Sequence, residues 1–241
     1  MNTIKVSVGN TKIIAHRGCS RLERENTMAA FIAAGNRSYY GIETDIHCTK
    51  DGKYIIIHDS DTARVGACSM NVEKSDFAEL RRILLTDLDG SVGREDLHLP
   101  TLEEYLMTCR KYEKVGVLEI KAAFSVAQMD EVMEAIGDYA ENMIIISFHY
   151  ASLLNLRVHH PNQRAQYLCY TLDDLTLESL AANGFGLDIK HSGMSPELLA
   201  KCRARGIETQ VWTVDDPAEC ERFAAMGVDY ITSNCCEAKT E

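Results

Sequence analysis

The sequence predicts an α/β fold, a (β/α)8 barrel with a short insertion between its second strand and second helix, and three observations predict it. Short β-like runs alternate with amphipathic helical stretches along the whole chain, which implies a parallel sheet with crossover helices. Eight such strand–helix steps fit into 241 residues, the size of a closed barrel. The competing architecture, an open doubly wound sheet, brings a glycine-rich phosphate loop. Neither G-x-G-x-x-G nor G-x-x-x-x-G-K-[ST] occurs.

The first strand is the apolar run at 12–16, and a helix pattern follows over 27–34 with Phe31 on its apolar face. Residues 40–49 alternate as the second strand. Asp51-Gly52 is a turn signal, and 53–57 make another short apolar run after it. The stretch from about 60 to 99 interrupts the rhythm and reads as the insertion. Thr101, just after Pro100, opens the second helix with Glu103 and Glu104 in its first turn. Strand and helix then alternate regularly: 115–120 and 126–139, 143–148 and 151–159, 166–170 and 172–182. The pattern continues through 186–189 and 196–205, then 209–214 and 217–226, with 228–232 as the last strand. No linker divides the chain, so residues 1–241 are expected to form a single domain.

Composition excludes several classes of function. Hydrophobic residues make up 46% and charged residues 25%, an ordinary globular balance able to bury a core. With 25 basic against 36 acidic residues, the net charge of -11 repels nucleic acid and anionic membrane surfaces. No apolar run approaches the roughly 18 residues that span a bilayer, so no stable membrane insertion is expected. The N-terminus lacks the apolar region of a signal peptide, which points to a cytoplasmic protein. The nine cysteines include no C-x-x-C pair and read as reduced thiols; adjacent Cys235-Cys236 is a poor imitation of a zinc pair.

Barrels place their chemistry at the C-terminal ends of the strands. The first strand ends in His16-Arg17-Gly18, and the run after the turn ends in His58-Asp59. The second strand carries Glu43-x-Asp45 and the third Glu119-x-Lys121, each pair on one face because side chains alternate along a strand. Three converging carboxylates are costly to bury without a cation, and an all-oxygen set suits Mg²⁺, Ca²⁺ or Mn²⁺ rather than zinc. Two histidines beside such a metal suit proton transfer near neutral pH. Arg17 and Lys121 supply the local positive charge that a phosphoryl group needs in an acidic protein. The chemistry alone reads as a metal-assisted site acting on a phosphate ester. Glu25, Asn26 and Thr27 read as a helix N-terminus rather than as substrate contacts. Asp188, near a strand end, stays unassigned.

Residues 15–18 (AHRG), 25–31 (ENTMAAF), 43–45 (ETD), 49–52 (TKDG), 58–59 (HD), 99–104 (LPTLEE), 118–121 (LEIK), 211–214 (VWTV) and 227–234 (GVDYITSN) occur in this order. Together they resemble the glycerophosphodiester phosphodiesterase family over nearly the whole chain. The resemblance implies a TIM-type barrel with one divalent metal, Mg²⁺ or Ca²⁺, held by Glu43, Asp45 and Glu119. It implies His16 and His58 as the acid/base pair, with His16 as base and His58 as acid. Arg17 and Lys121 would hold the phosphate, and Trp212 would line the side receiving glycerol. The implied reaction is hydrolysis of a small-molecule glycerophosphodiester to sn-glycerol 3-phosphate and an alcohol. A lysophospholipase D, a lyase forming cyclic phosphate, and a non-catalytic glycerophosphate-binding domain are the alternatives on the same barrel. The sequence departs from the family at Arg24, where a proline is usual, and after Asp59, where Arg64 alone echoes an arginine–threonine–threonine cluster.

Overall fold

The computed structural model describes residues 2–240; Met1 and Glu241, the ends of the expected domain, lie outside the described residues. Eight parallel strands close a barrel: β2 (Lys12–Ala15), β3 (Gly41–Cys48), β5 (Val115–Ile120), β6 (Met143–Ser147), β7 (Ala165–Cys169), β8 (Gly186–Lys190), β9 (Thr209–Trp212) and β10 (Tyr230–Ser233). Neighbours pair in chain order, and the pairings of β2 with β10 and with β3 close the ring. The predicted spans agree with these to within a residue or two at most ends, the usual uncertainty of an element's terminus.

Helices α1 (Met28–Gly35), α3 (Leu102–Tyr112), α4 (Val126–Ile136), α5 (Tyr150–His159), α6 (Asp174–Asn183), α7 (Pro196–Arg203) and α8 (Pro217–Met226) connect successive strands. Most start on a side chain that accepts from a free backbone N–H: Thr27, Thr101, Ser125, Asp173, Ser195 and Asp216. At Thr101 the predicted start is a full capping box, with Glu104 accepting from the Thr101 backbone at 2.8 Å. Helix α4 stops at Ile136, short of the expected 139, because Gly137 takes φ 56° and turns the chain.

Strand alternation sorts side chains into two layers. Ile13, Ile42, Leu118, Ile145, Leu187 and Val211 pack outward among helix residues such as Phe31, Leu106 and Phe223. Ile14, Val117, Ile144, Ile146 and Leu168 fill the barrel interior. The register sets Asp45 directly beside Glu119, and Glu43 beside Val117. Glu43, Asp45 and Glu119 therefore face into the barrel.

One feature differs from the expected pattern. Among the described residues the eighth strand has no helix after it. The chain instead forms β11 (Cys236–Ala238), which pairs in parallel with β1 (Ile4–Val6), and neither short strand was expected. The run after the Asp51-Gly52 turn is β4 (Tyr54–Ile56), antiparallel to β3 with Ile56 opposite Ile46. This hairpin folds the chain back so that the Ile57 N–H meets the Asp45 carbonyl at 3.2 Å. His58 thereby arrives at the barrel mouth.

The insertion builds its own small core from Val65, Val72, Leu80, Ile83, Leu85 and Leu97, packed on Ile55 and Ile57. It carries a 3-10 turn at Val72–Lys74 and a short α-helix, α2 (Phe77–Leu80). Arg24, the departure from proline, tethers this segment by donating to the Thr86 carbonyl and, at 3.0 Å, to the Thr86 hydroxyl.

Candidate active site at the barrel mouth

The expected site residues converge at the C-terminal ends of the strands. His16, Arg17, Glu43, His58, Glu119 and Trp212 line one pocket, together with Asp188 and Gln210. Asp45 lies beneath, fully buried, and the Lys121 ammonium sits 2.8 Å from Glu119 and 3.5 Å from Asp45. A larger hollow of about 580 Å³ lies at the opposite end, lined by Asn10, Lys12 and Asp229. It contains none of these carboxylates or imidazoles, so the chemistry belongs to the smaller pocket.

The turn after β2 aims the first pair of groups. Arg17 adopts φ 53° and Gly18 φ 76°, and a Cβ on Gly18 would lie 2.7 Å from the Ala30 backbone. Only glycine allows the turn to sit this close to α1. The turn points the Arg17 N–H at Glu43 Oε2, 2.8 Å away, and its guanidinium at Glu25, also 2.8 Å away.

Glu43, Asp45 and Glu119 each offer an oxygen, and these lie within 4.8 Å of one another. Burial and the charge of Asp45 push the Glu43 carboxyl well above its ordinary range and that of Glu119 up to about 8. Burial also opposes charge on Asp45, but Lys121 and Arg17 outweigh it and hold Asp45 below the usual carboxylate range. Asp45 Oδ1 is buried with no hydrogen-bond partner among the described residues. Two fixed cations thus serve three acids, and Asp45 Oδ1, 3.5 Å from the Lys121 ammonium, is left without a hydrogen bond among hard donors. This set can hold a divalent cation.

The imidazoles flank that cluster. His16 Nδ1 lies 2.8 Å from Asn234 Oδ1, and Asn234 Nδ2 donates to Asp215 at 2.7 Å. A carboxylate only accepts, so Asp215 fixes the amide with its oxygen toward His16. His16 therefore carries its proton on Nδ1, and Nε2 keeps a lone pair 4.0 Å from Glu43. Burial and the Arg17 charge lower its pKa to about 4, so the ring is neutral at pH 7. His58 Nδ1 lies 2.7 Å from Asp59 Oδ1. Burial lowers His58 as well, while the nearby Asp45 charge opposes that shift.

Several residues take positioning roles that the sequence reading did not assign to them. Thr27 caps α1 as expected, but Asn26 does more. At φ 52° its side chain donates to Asp45 at 2.7 Å and accepts from Thr44 at 2.8 Å. Glu25 joins Arg17 to Arg64, which donates to it at 2.7 and 2.8 Å and to Asp59 at 2.7 Å. Asn234, Asp215 and Gln210 gave no separate signal, although Asn234 ends one of the quoted motifs. Trp212 is half-buried and packs edge-to-face with Phe148 and Tyr170. His149 is exposed and approaches the Lys121 carbonyl at 3.2 Å.

Fold and site together define a (β/α)8-barrel enzyme with an acidic, imidazole-flanked mouth. The family model described as the Glycerophosphoryl diester phosphodiesterase family matches residues 16–237. The chain is 29% identical to a glycerophosphodiester phosphodiesterase of Caldanaerobacter subterraneus subsp. tengcongensis, over 93% of this chain and 94% of that one. Among solved structures, a Parabacteroides distasonis glycerophosphodiester phosphodiesterase superposes with a TM-score of 0.79 at 27% identity, covering 96% of this chain and 94% of its own. An Oleispira antarctica phosphodiesterase, solved with the product sn-glycerol-3-phosphate, shares the fold with a TM-score of 0.84 at 24% identity, covering 92% of each chain. The chain belongs to the glycerophosphoryl diester phosphodiesterase family, and it is an enzyme, a phosphoric diester hydrolase. No helix among the described residues is long and apolar enough to cross a membrane.

Proposed function

We propose that this chain, acting as one domain, hydrolyses small glycerophosphodiesters to sn-glycerol 3-phosphate and an alcohol, with a divalent cation and two histidines of opposite role. The observation that carries the reading is the convergence of three buried carboxylates with two imidazoles whose Nδ1 atoms are both already engaged. Each ring is thereby left with only Nε2 free for exchange with a reactant.

Glu43, Asp45 and Glu119 would hold the cation, Mg²⁺ or Ca²⁺, which when bound supplies positive charge against the phosphoryl oxygens. Arg17 and Lys121 add fixed charge on the same side and orient the phosphate. His16, neutral with a bare Nε2, accepts the proton of the attacking water. His58 acts as the imidazolium: its Nδ1–H is held by Asp59, and it delivers its second proton, on Nε2, to the departing alkoxide and returns to the neutral ring. The P–O bond to the alcohol breaks as the new P–O bond forms, and the proton taken by one ring is matched by the proton given by the other. Trp212 bounds the side where glycerol lies. Nine unpaired cysteines support a cytoplasmic setting.

The test is turnover of glycerophosphocholine, glycerophosphoethanolamine and glycerophosphoglycerol by His16→Ala and His58→Ala, alongside calorimetric cation titration. Each variant should lose turnover while cation affinity stays within about threefold, since neither ring is a ligand. Loss of cation binding in either variant would make that ring a ligand and sink the role assignment.

A further inference from the structure

The pocket contains a polar pair that the proton transfers do not use. Asp188 sits on β8, four strands round the barrel from β3, and is 1% exposed. Its Oδ2 accepts from Gln210 Nε2 at 2.9 Å, and the same nitrogen lies 3.0 Å from the Thr232 hydroxyl. Asp188 Oδ1 and Gln210 Oε1 are buried and have no hydrogen-bond partner among the described residues. Both residues line the pocket. An unpaired buried oxygen costs roughly 1–3 kcal/mol, so two on adjacent strands call for a ligand that pairs them.

The neighbouring surface narrows what that ligand is. Trp212 follows Gln210 by two residues on β9, hence on the same face, and its Nε1 donates to the Asp188 backbone carbonyl at 3.3 Å. The indole is thus pinned beside the two free oxygens. Hydroxyl groups donating to a carboxyl and an amide oxygen, with C–H groups against an aromatic ring, are the complement of this surface. That is the chemistry of a small polyol. A trimethylammonium or alkyl group would leave both oxygens unpaired.

We propose that Asp188 and Gln210 are the specificity pair of the site, accepting hydrogen bonds from the hydroxyls of the substrate's glycerol while the phosphate lies at the carboxylate cluster. The inference rests on the reading that the substrates are glycerophosphodiesters. It makes Asp188 a recognition group, since it touches neither the attacking nor the departing oxygen.

The experiment compares kcat/KM for the best of the three glycerophosphodiesters with kcat/KM for bis(4-nitrophenyl) phosphate, a diester without hydroxyls. The readout is the ratio of the two, for wild type, Asp188→Leu, Asp188→Asn and Gln210→Met, each checked for folding by circular dichroism. Removing the acceptor in Asp188→Leu should lower the ratio about 20-fold, and Gln210→Met about 10-fold. Asp188→Asn keeps its one oxygen toward Gln210 Nε2 and turns an NH2 donor toward the substrate, so it should lower the ratio by an intermediate factor of about 5. A ratio within twofold of wild type in folded Asp188→Leu, or in Gln210→Met should the leucine variant not fold, overturns the inference and leaves the proposed function standing. Wild-type protein that cleaves bis(4-nitrophenyl) phosphate but none of the glycerophosphodiesters overturns both.

Discussion

His58 Nδ1 and Asp59 Oδ1 stand 2.7 Å apart, so two residues adjacent in sequence form the contact that sets the tautomer of the proposed acid. Burial opposes charge on Asp59, but hydrogen bonds from Arg64 and His58 outweigh it and keep the carboxyl ionised. An ionised carboxylate can only accept, which holds one proton on His58 Nδ1 and leaves Nε2 as the nitrogen whose proton the imidazolium gives up. Asp59 is in turn held by Arg64, Arg64 by Glu25, and Glu25 by Arg17. One ion-pair chain therefore runs from the proposed acid to the phosphate-side arginine.

Replacing Asp59 with alanine should free the His58 ring to rotate and lower kcat about 100-fold. KM should stay within about threefold, since Asp59 is not placed against the substrate. Steady-state kinetics separates the two parameters; a change in KM alone would mean that Asp59 acts in binding.

Cation binding should release protons. Glu119, pushed up to about 8 by burial and by the Asp45 charge, is protonated at pH 7 in the metal-free protein, and Glu43 is raised in the same direction. A cation requires the carboxylates, so apparent affinity should rise with pH up to about 8 and flatten above it. Calorimetry in two buffers of different ionisation enthalpy at pH 7 should show release of at least about one proton per cation. Equal heats in the two buffers would contradict the protonated cluster.

Glu25 should make part of the folding stability depend on acid pH. Burial raises its carboxyl, but hydrogen bonds from Arg64 and the Arg17 charge outweigh that and bring it down to about 2. A depressed carboxyl contributes stability that is present in full above the unfolded value near 4.5 and is lost as pH falls toward 2. The loss should reach up to about 3 kcal/mol across that window. Urea unfolding of wild type and Glu25→Gln at pH 7, 4 and 3 reads it directly: the variant should be less stable at pH 7 and less sensitive to acid. Parallel curves would show that the chain contributes nothing to stability.

What the sequence made legible follows from locality. Glu43 and Asp45, or Glu119 and Lys121, lie two apart on a strand, and a period of two places each pair on one face whatever the rest of the chain does. The Asp51-Gly52 turn foretold the hairpin that carries His58. The contact from Arg64 to Glu25 spans 39 residues between two loops, and no periodicity reaches across it. Asn26 combines a left-handed backbone with a reach to Asp45, and its neighbour Thr27 caps α1, so the local pattern announced only the helix start. Asp188 and Gln210 face each other only once β8 pairs with β9, and a lone Asp or Gln in an apolar run carries no partner in its sequence. The β1–β11 pair joins the two ends of the chain through three-residue strands too short for a pattern to register.

The central claim is cation-dependent cleavage of a glycerophosphodiester at the carboxylate–imidazole mouth. Its most direct test is release of glycerol 3-phosphate from glycerophosphodiesters by protein stripped with chelator, then supplied with Mg²⁺ or Ca²⁺, with Glu119→Gln in parallel. The account predicts no release after stripping, recovery when one of the cations returns, and no recovery in Glu119→Gln. Release undiminished by chelator, or none from folded wild-type protein with either cation, would contradict it.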